Sequence, residues 1–326
     1  MFTIEKKSHS EINRVCIAHT AYALLQYLLL SSLEELQHTW FFFPDDHFIS
    51  FFPNSCVFAL KRGKFLKSKY LQAYYLLMRR NRLWPFLRHS KIYAQDHLLT
   101  DFLLLKGHEY TLLEDGLGNY LEQPFKFKLK RILKRLPFYP NGVFAWGEST
   151  NCKLRLLSHA PEKSSFLNKK EFMLIDFAKW WHDSEKEKQE FILRVFNVSQ
   201  EDLELFEKFD HLLLTQCFSE AKMMSEEGKI QCYKNIIEHF SLSPENTIIK
   251  THPSEMTDYT KAFPGFQVCT KKIPIELIAI HLKKSTQVYT VSSSGVFIFP
   301  RTQVTWCDTA FSPELKEKYG SWQCPF

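Results

Sequence analysis

Arg14-Val15-Cys16-Ile17-Ala18 is a short apolar run that ends in His19-Thr20. Behind it, apolar residues fall at helical spacing (Ala21, Leu24, Leu25, Tyr27, Leu28, Leu29) and close with Ser31-Ser32. The aromatic run Thr39-Trp40-Phe41-Phe42-Phe43 follows and is stopped by Pro44-Asp45-Asp46. Strand, helix and strand within about 45 residues open an α/β unit with parallel strands. Ile92-Tyr93-Ala94 and Tyr110-Thr111-Leu112-Leu113 extend the pattern, the second running straight into Glu114-Asp115-Gly116.

The middle of the chain reads differently. From Asn168 to about Asp210 it is charged, helical in period and without a convincing strand, which suits a connector. The pattern then restarts. His211-Leu212-Leu213-Leu214-Thr215, Thr247-Ile248-Ile249-Lys250, Phe266-Gln267-Val268-Cys269, Gln287-Val288-Tyr289-Thr290-Val291 and Gln303-Val304-Thr305-Trp306 read as strands. Between them, a helix is predicted from Lys229 to Phe240 and another from Pro274 at its first turn. The fold class expected is α/β with two Rossmann-like domains facing across a cleft at the strand carboxyl ends. Its divisions are a Rossmann-like domain over 1–155, a helical connector over 156–205, a second Rossmann-like domain over 206–310 and a tail over 311–326.

Composition agrees with a globular chain. Of 326 residues, 45% are apolar and 24% charged, which argues against disorder and coiled coil. Thirty Phe, 13 Tyr and 7 Trp supply ample core, and 10 Gly with 14 Pro exclude collagen-like architecture. A net charge of +6 is too small to argue for nucleic acid by itself. The eight Cys form no CxxC pair, so a structural zinc and a disulfide framework are poorly supported and a reducing compartment suits them. No signal-peptide core or membrane-length apolar run is visible, which leads us to expect a cytoplasmic protein, peripheral to a membrane at most.

Three strand ends carry candidate chemistry. In Glu114-Asp115-Gly116 the glycine lets the backbone turn so that one carboxylate can serve as a base; an ordinary acidic turn is the plainer account. In Lys250-Thr251-His252-Pro253 an imidazole could protonate a leaving group, Lys250 could hold an anionic one, and Pro253 biases His252 toward extended backbone; a loop histidine is the alternative. Ser292-Ser293-Ser294-Gly295 could cradle a phosphate with hydroxyls and backbone N–H groups, or be a polar loop. Glu276, in the first turn of the helix opened by Pro274, either complements the helix dipole or accepts hydrogen bonds from ribose hydroxyls.

Two segments are strongly basic. Lys61 to Lys91 holds ten Lys and Arg and no acid, and Lys126 to Arg135 holds six more, both interleaved with aromatic and aliphatic residues. They suit an anionic membrane surface, single-stranded nucleic acid or a solvated face. The absence of a nucleic-acid-binding signature favours the membrane over nucleic acid.

In order along the chain, Tyr110-Thr111-Leu112-Leu113-Glu114-Asp115-Gly116, Lys250-Thr251-His252-Pro253, Ile273-Pro274-Ile275-Glu276 and Val291-Ser292-Ser293-Ser294 resemble the bacterial sialyltransferases. With Ile92-Tyr93-Ala94-Gln95-Asp96, the chain looks most like glycosyltransferase family 52, which includes lipooligosaccharide α-2,3-sialyltransferases. The resemblance runs from about Arg14 to Trp306. It implies a GT-B fold, with 1–155 as acceptor domain and 206–310 as nucleotide-sugar-binding domain, and an inverting, metal-independent transfer of sialic acid from CMP-sialic acid to a galactoside hydroxyl. It also implies no cofactor, a galactose-terminated glycolipid acceptor and an anionic inner-membrane surface as partners, and no nucleic acid; a homodimer is left open. The carry-over gives Asp115 as base with Glu114 and Gly116 beside it, and His252 with Pro253 as the leaving-group acid. Lys250 becomes a nucleotide contact, Glu276 a ribose contact, and Ser293 and Ser294 the phosphate-binding pair, with Ser292 adjoining. Asp210 is the acid to test next. The alternatives are a hexosyltransferase of the same architecture using a nucleoside diphosphate sugar, and a non-catalytic basic protein binding membrane or nucleic acid.

Overall fold

The structure, a computed structural model, describes residues 2–44, 46–57, 84–97, 101, 104–116, 119–120, 147, 149–160 and 171–322. Most of the basic segment 61–91 and all of 126–135 lie outside these residues. Two compact units divide the chain, 1–195 and 196–326. The break follows a helix that ends at Val195, and Asn197 beyond it adopts φ 52°, the left-handed geometry that stops helices.

Among the described residues the first unit has seven strands. They are β1 (Arg14–Ile17), β2 (Thr39–Phe43), β3 (Ser55–Val57), β4 (Lys91–Ala94), β5 (Tyr110–Leu112), β6 (Cys152–Leu157) and β7 (Phe172–Leu174), ordered β3-β2-β1-β4-β5-β6-β7. Every neighbouring pair is parallel. Among the described residues the sheet is accompanied by helices α1 (Ala21–Leu30), α2 (Leu33–Gln37), α3 (Phe177–His182) and α4 (Lys186–Val195). Thr20 starts α1 by accepting the Ala23 N–H, and Ser32 with Glu35 forms a capping box at α2. Phe41, Phe42 and Phe43 are all buried, so β2 is apolar on both faces, as a central parallel strand requires.

The second unit orders β8 (His211–Leu214), β9 (Thr247–Lys250), β10 (Gln267–Cys269), β11 (Gln287–Thr290) and β12 (Val304–Trp306) as β10-β9-β8-β11-β12, again all parallel. Its helices are α5 (Gln200–Phe206), α6 (Glu226–His239), α7 (Tyr259–Ala262), α8 (Ile275–His281) and α9 (Pro313–Tyr319). Leu213, Tyr233, Ile236, Ile249, Tyr259 and Val291 lie in its core.

Two expectations change here. The stretch expected as a connector contains β7, and its parts are shared out: β7, α3 and α4 fall in the first unit and α5 in the second. The stretch expected as a tail contains α9, capped by Ser312, with Leu315 buried and Glu314 accepting hydrogen bonds from Ser225. Among the described residues no helix is long and apolar enough to cross a membrane.

Candidate active site

In each sheet the strand order reverses once. In the first, the chain builds outward from β1 through β2 and β3, then resumes on the other side at β4, so the switch point lies between β1 and β4. Ligands of open parallel sheets bind at the strand carboxyl ends beside such a point. His19-Thr20 follows β1, Gln95-Asp96-His97 follows β4 and Glu114-Asp115-Gly116 follows β5, all on that edge.

The two acidic neighbours are treated oppositely. Glu114 is 1% exposed and faces inward. Its carboxylate accepts the Ser158 N–H (2.5 Å) and the Ser158 hydroxyl (3.0 Å), and its backbone is clasped by Gln26 of α1, which accepts from Glu114 N and donates to Glu114 O, both at 2.9 Å. Burial pushes its proton affinity up to about 7, against the lowering effect of Ser158 and nearby tyrosines. Asp115 is only partly buried. Gln95 Nε2 donates to its Oδ1 (2.5 Å), His97 Nε2 lies 3.8 Å from its Oδ2, and Asn119 Oδ1 accepts its backbone N–H (2.7 Å). Burial raises the Asp115 carboxyl above the usual range, while His97, His19 and the Gln95 bond pull the other way. Gly116, at φ 117°, makes the turn that a side chain would strain.

Behind Asp115 stands a second layer. His19 Nε2 is 2.6 Å from Asp101 Oδ1, both side chains nearly fully buried, and the His19 and His97 rings meet edge to face at 5.5 Å. Gln95 ties the layer together, accepting the His19 N–H (2.6 Å) and donating to Thr20 Oγ1 (3.2 Å) as well as to Asp115.

In the second unit the switch point lies between β8 and β11. Lys250 ends β9, 5% exposed, with its ammonium donating to Thr251 O at 2.8 Å. Burial lowers its proton affinity, and an incoming anion would restore it. His252, half-buried, has a lowered proton affinity from burial, opposed by Glu255. Its Nδ1 accepts the Ser254 N–H (3.1 Å), and its own N–H is held by Glu255 Oε2 (2.7 Å). Ser292-Ser293-Ser294 follows β11; Ser293 Oγ accepts the Gly295 N–H at 3.2 Å, and a 3-10 turn runs from Ser294 to Ile298. That turn packs on α8, whose first turn carries the buried Glu276. A Cβ added at Gly295 would sit 2.9 Å from Ile275 Cγ2, so the serine turn and the Glu276 helix touch through this glycine.

Asp210 is elsewhere. It precedes β8 on the amino-terminal edge, exposed and paired with Lys283 at 3.0 Å. Four strand residues at about 3.3 Å each separate it from the edge that bears Lys250 and the serines. Among the described residues no group of three His, Cys, Asp or Glu is placed to hold a metal ion.

A model of glycosyltransferase family 52 matches residues 45–310. This chain belongs to that family. A Haemophilus influenzae protein described as uncharacterized is 30% identical to it over 265 residues, 79% of this chain and 80% of that one. Among solved structures, the family-52 chain is similar in fold to a 2,6-sialyltransferase of Photobacterium sp. in complex with CMP and lactose, at TM-score 0.59 and 14% identity over 94% of this chain and 76% of that one. An α/β-galactoside α-2,3-sialyltransferase of Photobacterium phosphoreum gives TM-score 0.57 and 13% identity over 94% of both chains. A Photobacterium damselae sialyltransferase GT-B domain gives 0.55 and 13%, over 90% of this chain and 89% of that one. The fold of this family-52 glycosyltransferase is thus GT-B-like.

Sequence reasoning did not single out His19, His97, Asp101 or Glu255. In the sequence His19 marks only the end of a strand, and Gln95 belongs only to the stretch that resembles family 52. The signal for His19 and His97 is the sheet order, which brings β1 beside β4 and so joins residues far apart in the chain.

Proposed function

We propose that this family-52 enzyme moves sialic acid from CMP-sialic acid to a terminal galactoside hydroxyl of lipooligosaccharide, with inversion and without a metal ion. The observation that carries the reading is the division of labour at the end of β5: Glu114 is locked into the fold, while Asp115 stays half-open and is aimed by Gln95 and His97. The neighbour solved with the donor product CMP and the acceptor lactose supports a nucleotide-sugar donor and a galactoside acceptor.

In this reading the acceptor oxygen bonds to the anomeric carbon as its proton passes to an Asp115 carboxylate oxygen. The bond from that carbon to the CMP phosphate oxygen breaks, the electron pair leaving with the phosphate, and His252 gives that oxygen a proton. One displacement inverts the anomeric centre through an oxocarbenium-like transition state. Lys250 and the hydroxyls of Ser292, Ser293 and Ser294 meet the phosphate charge, and Glu276 accepts from the ribose hydroxyls. A monophosphate leaves with less charge than a diphosphate, so one ammonium, one imidazolium and hydroxyls can do the work of a divalent ion. With Asp115 ionised and His252 protonated as the active form, kcat/KM rises with pH through the raised Asp115 value. It falls again through the lowered His252 value. In the same reading, the charge of the basic segments supports attachment to the inner face of the inner membrane, near a lipid-linked acceptor.

A donor screen tests this. Purified enzyme with lactose should release CMP from CMP-sialic acid, in excess EDTA as well as without it. Release from a nucleoside diphosphate hexose instead, lost to EDTA and restored by Mg²⁺ or Mn²⁺, would move the reading to a hexosyltransferase.

A further inference from the structure

The loop that carries His252 is fastened from beneath by a buried charge network. Glu255, three residues on, folds back under the loop with its side chain 1% exposed. Its Oε2 accepts the His252 N–H at 2.7 Å and the Thr215 hydroxyl, and its Oε1 accepts the Tyr259 hydroxyl at 2.8 Å. Lys229 of α6, fully buried, places its ammonium 3.7 Å from Glu255 Oε1, 2.9 Å from Glu220 Oε2 and 3.2 Å from Glu226 Oε2. Glu220 in turn accepts the Met256 N–H at 2.7 Å. Two carboxylates anchored on one ammonium therefore each hold one backbone N–H of the loop, at His252 and at Met256.

Three carboxylates around one ammonium leave the cluster net negative directly beneath His252. Around the ring, Glu255 on its own loop and Glu220 from the loop after β8 favour the protonated imidazole. Lys250 at the end of β9 opposes it, as does burial. Lys229 and Glu226 of α6 bear on the ring through Glu255 and Glu220. From this geometry we infer that Glu255, seated on Lys229, is a positioning residue for His252. It aims the ring through the backbone and supplies the negative charge that lets the imidazole carry a proton to the leaving phosphate. The inference rests on the reading of His252 as leaving-group acid.

Glu255→Gln keeps the volume and one of the two acceptor oxygens but removes the charge, while Tyr259→Phe removes one hydrogen bond to Glu255 and leaves the charge. The His252 ring is titrated by NMR in the wild type and both variants, its signal assigned by its loss in His252→Ala. The same three proteins are assayed for kcat and KM for CMP-sialic acid across pH. We expect Glu255→Gln to lower the His252 titration midpoint by about half a pH unit or more, and to move the alkaline limb of kcat/KM with it. We also expect it to reduce kcat about 10-fold with KM for the donor within about 3-fold. Tyr259→Phe should leave the midpoint in place. An unchanged midpoint in Glu255→Gln, or an equal shift in both variants, overturns the inference whether or not the enzyme turns over. A shifted midpoint in a protein that never releases CMP from CMP-sialic acid keeps the charge coupling and overturns the catalytic part together with the proposed donor. Thermal melting of each variant reports whether the unit still folds.

Discussion

Two adjacent carboxylates, Glu114 and Asp115, sit in opposite environments, and each gives its own expectation. Asp115→Asn should abolish transfer while leaving donor affinity nearly unchanged, because the groups assigned to the nucleotide lie in the other unit. Glu114→Gln should reduce transfer far less. Rates and donor affinities of both variants check this, and near-normal transfer by Asp115→Asn would dismiss it as the base. Glu114 also writes itself into stability. Its carboxyl titrates near 4.3 unfolded and at about 7 folded, so the folded state holds the extra proton between those values. Its contribution is complete below pH 4 and is lost as pH rises through 7, about 4 kcal/mol in all. Urea midpoints at pH 5 and pH 8 should differ less in Glu114→Gln than in the wild type.

At the scale of elements, the serine turn after β11 and helix α8 form a joint with Gly295 at the contact. The atom that an added Cβ would meet belongs to a β-branched side chain, which has little freedom to yield. Gly295→Ala should therefore destabilise the second unit by about 1–3 kcal/mol and raise the donor KM several-fold, since the turn and Glu276 shift together. Kinetics with a melting curve would show this; an unaltered KM would separate the turn from donor binding. The sequence made most elements legible, because β1, β2, β4, β5, β8, β9, β11 and α1 are uninterrupted apolar or periodic runs ending in polar punctuation. It hid β3, three half-buried residues, β6, where Lys153 and the fully buried Arg155 break the apolar pattern, and β7, three residues long with Phe172 and Leu174 exposed. The helix expected from Lys229 begins three residues earlier, at Glu226 behind the Ser225 cap. The candidate site was legible only where it is contiguous. Glu114-Asp115-Gly116 and Lys250-Thr251-His252-Pro253 announce themselves, whereas the layer behind Asp115 exists only once β1 and β4 are neighbours.

For the whole molecule, the sixteen basic residues of segments 61–91 and 126–135 should govern attachment to anionic lipid. Replacing Lys126, Lys128, Lys130, Arg131, Lys134 and Arg135 by Gln should weaken binding to phosphatidylserine-containing vesicles by about 1 kcal/mol per charge at low salt and flatten its salt dependence. Binding that persists unchanged would make these residues a solvated face. A different consequence follows from the way both sheets are strung. β1 and β8 are the first strands of their sheets, yet each ends up between two later ones. Arg14 has to wait for Lys91, and His211 for Gln287, before their second flanks close. A ribosome delivering about 5–20 residues per second leaves the backbone of β1 open on one side for several seconds, with no hairpin to shelter it. During that interval the most dangerous partner for a nascent chain is another nascent chain, so the soluble yield in a host cell should track growth temperature and chaperone supply more closely than it tracks the melting point of the finished enzyme.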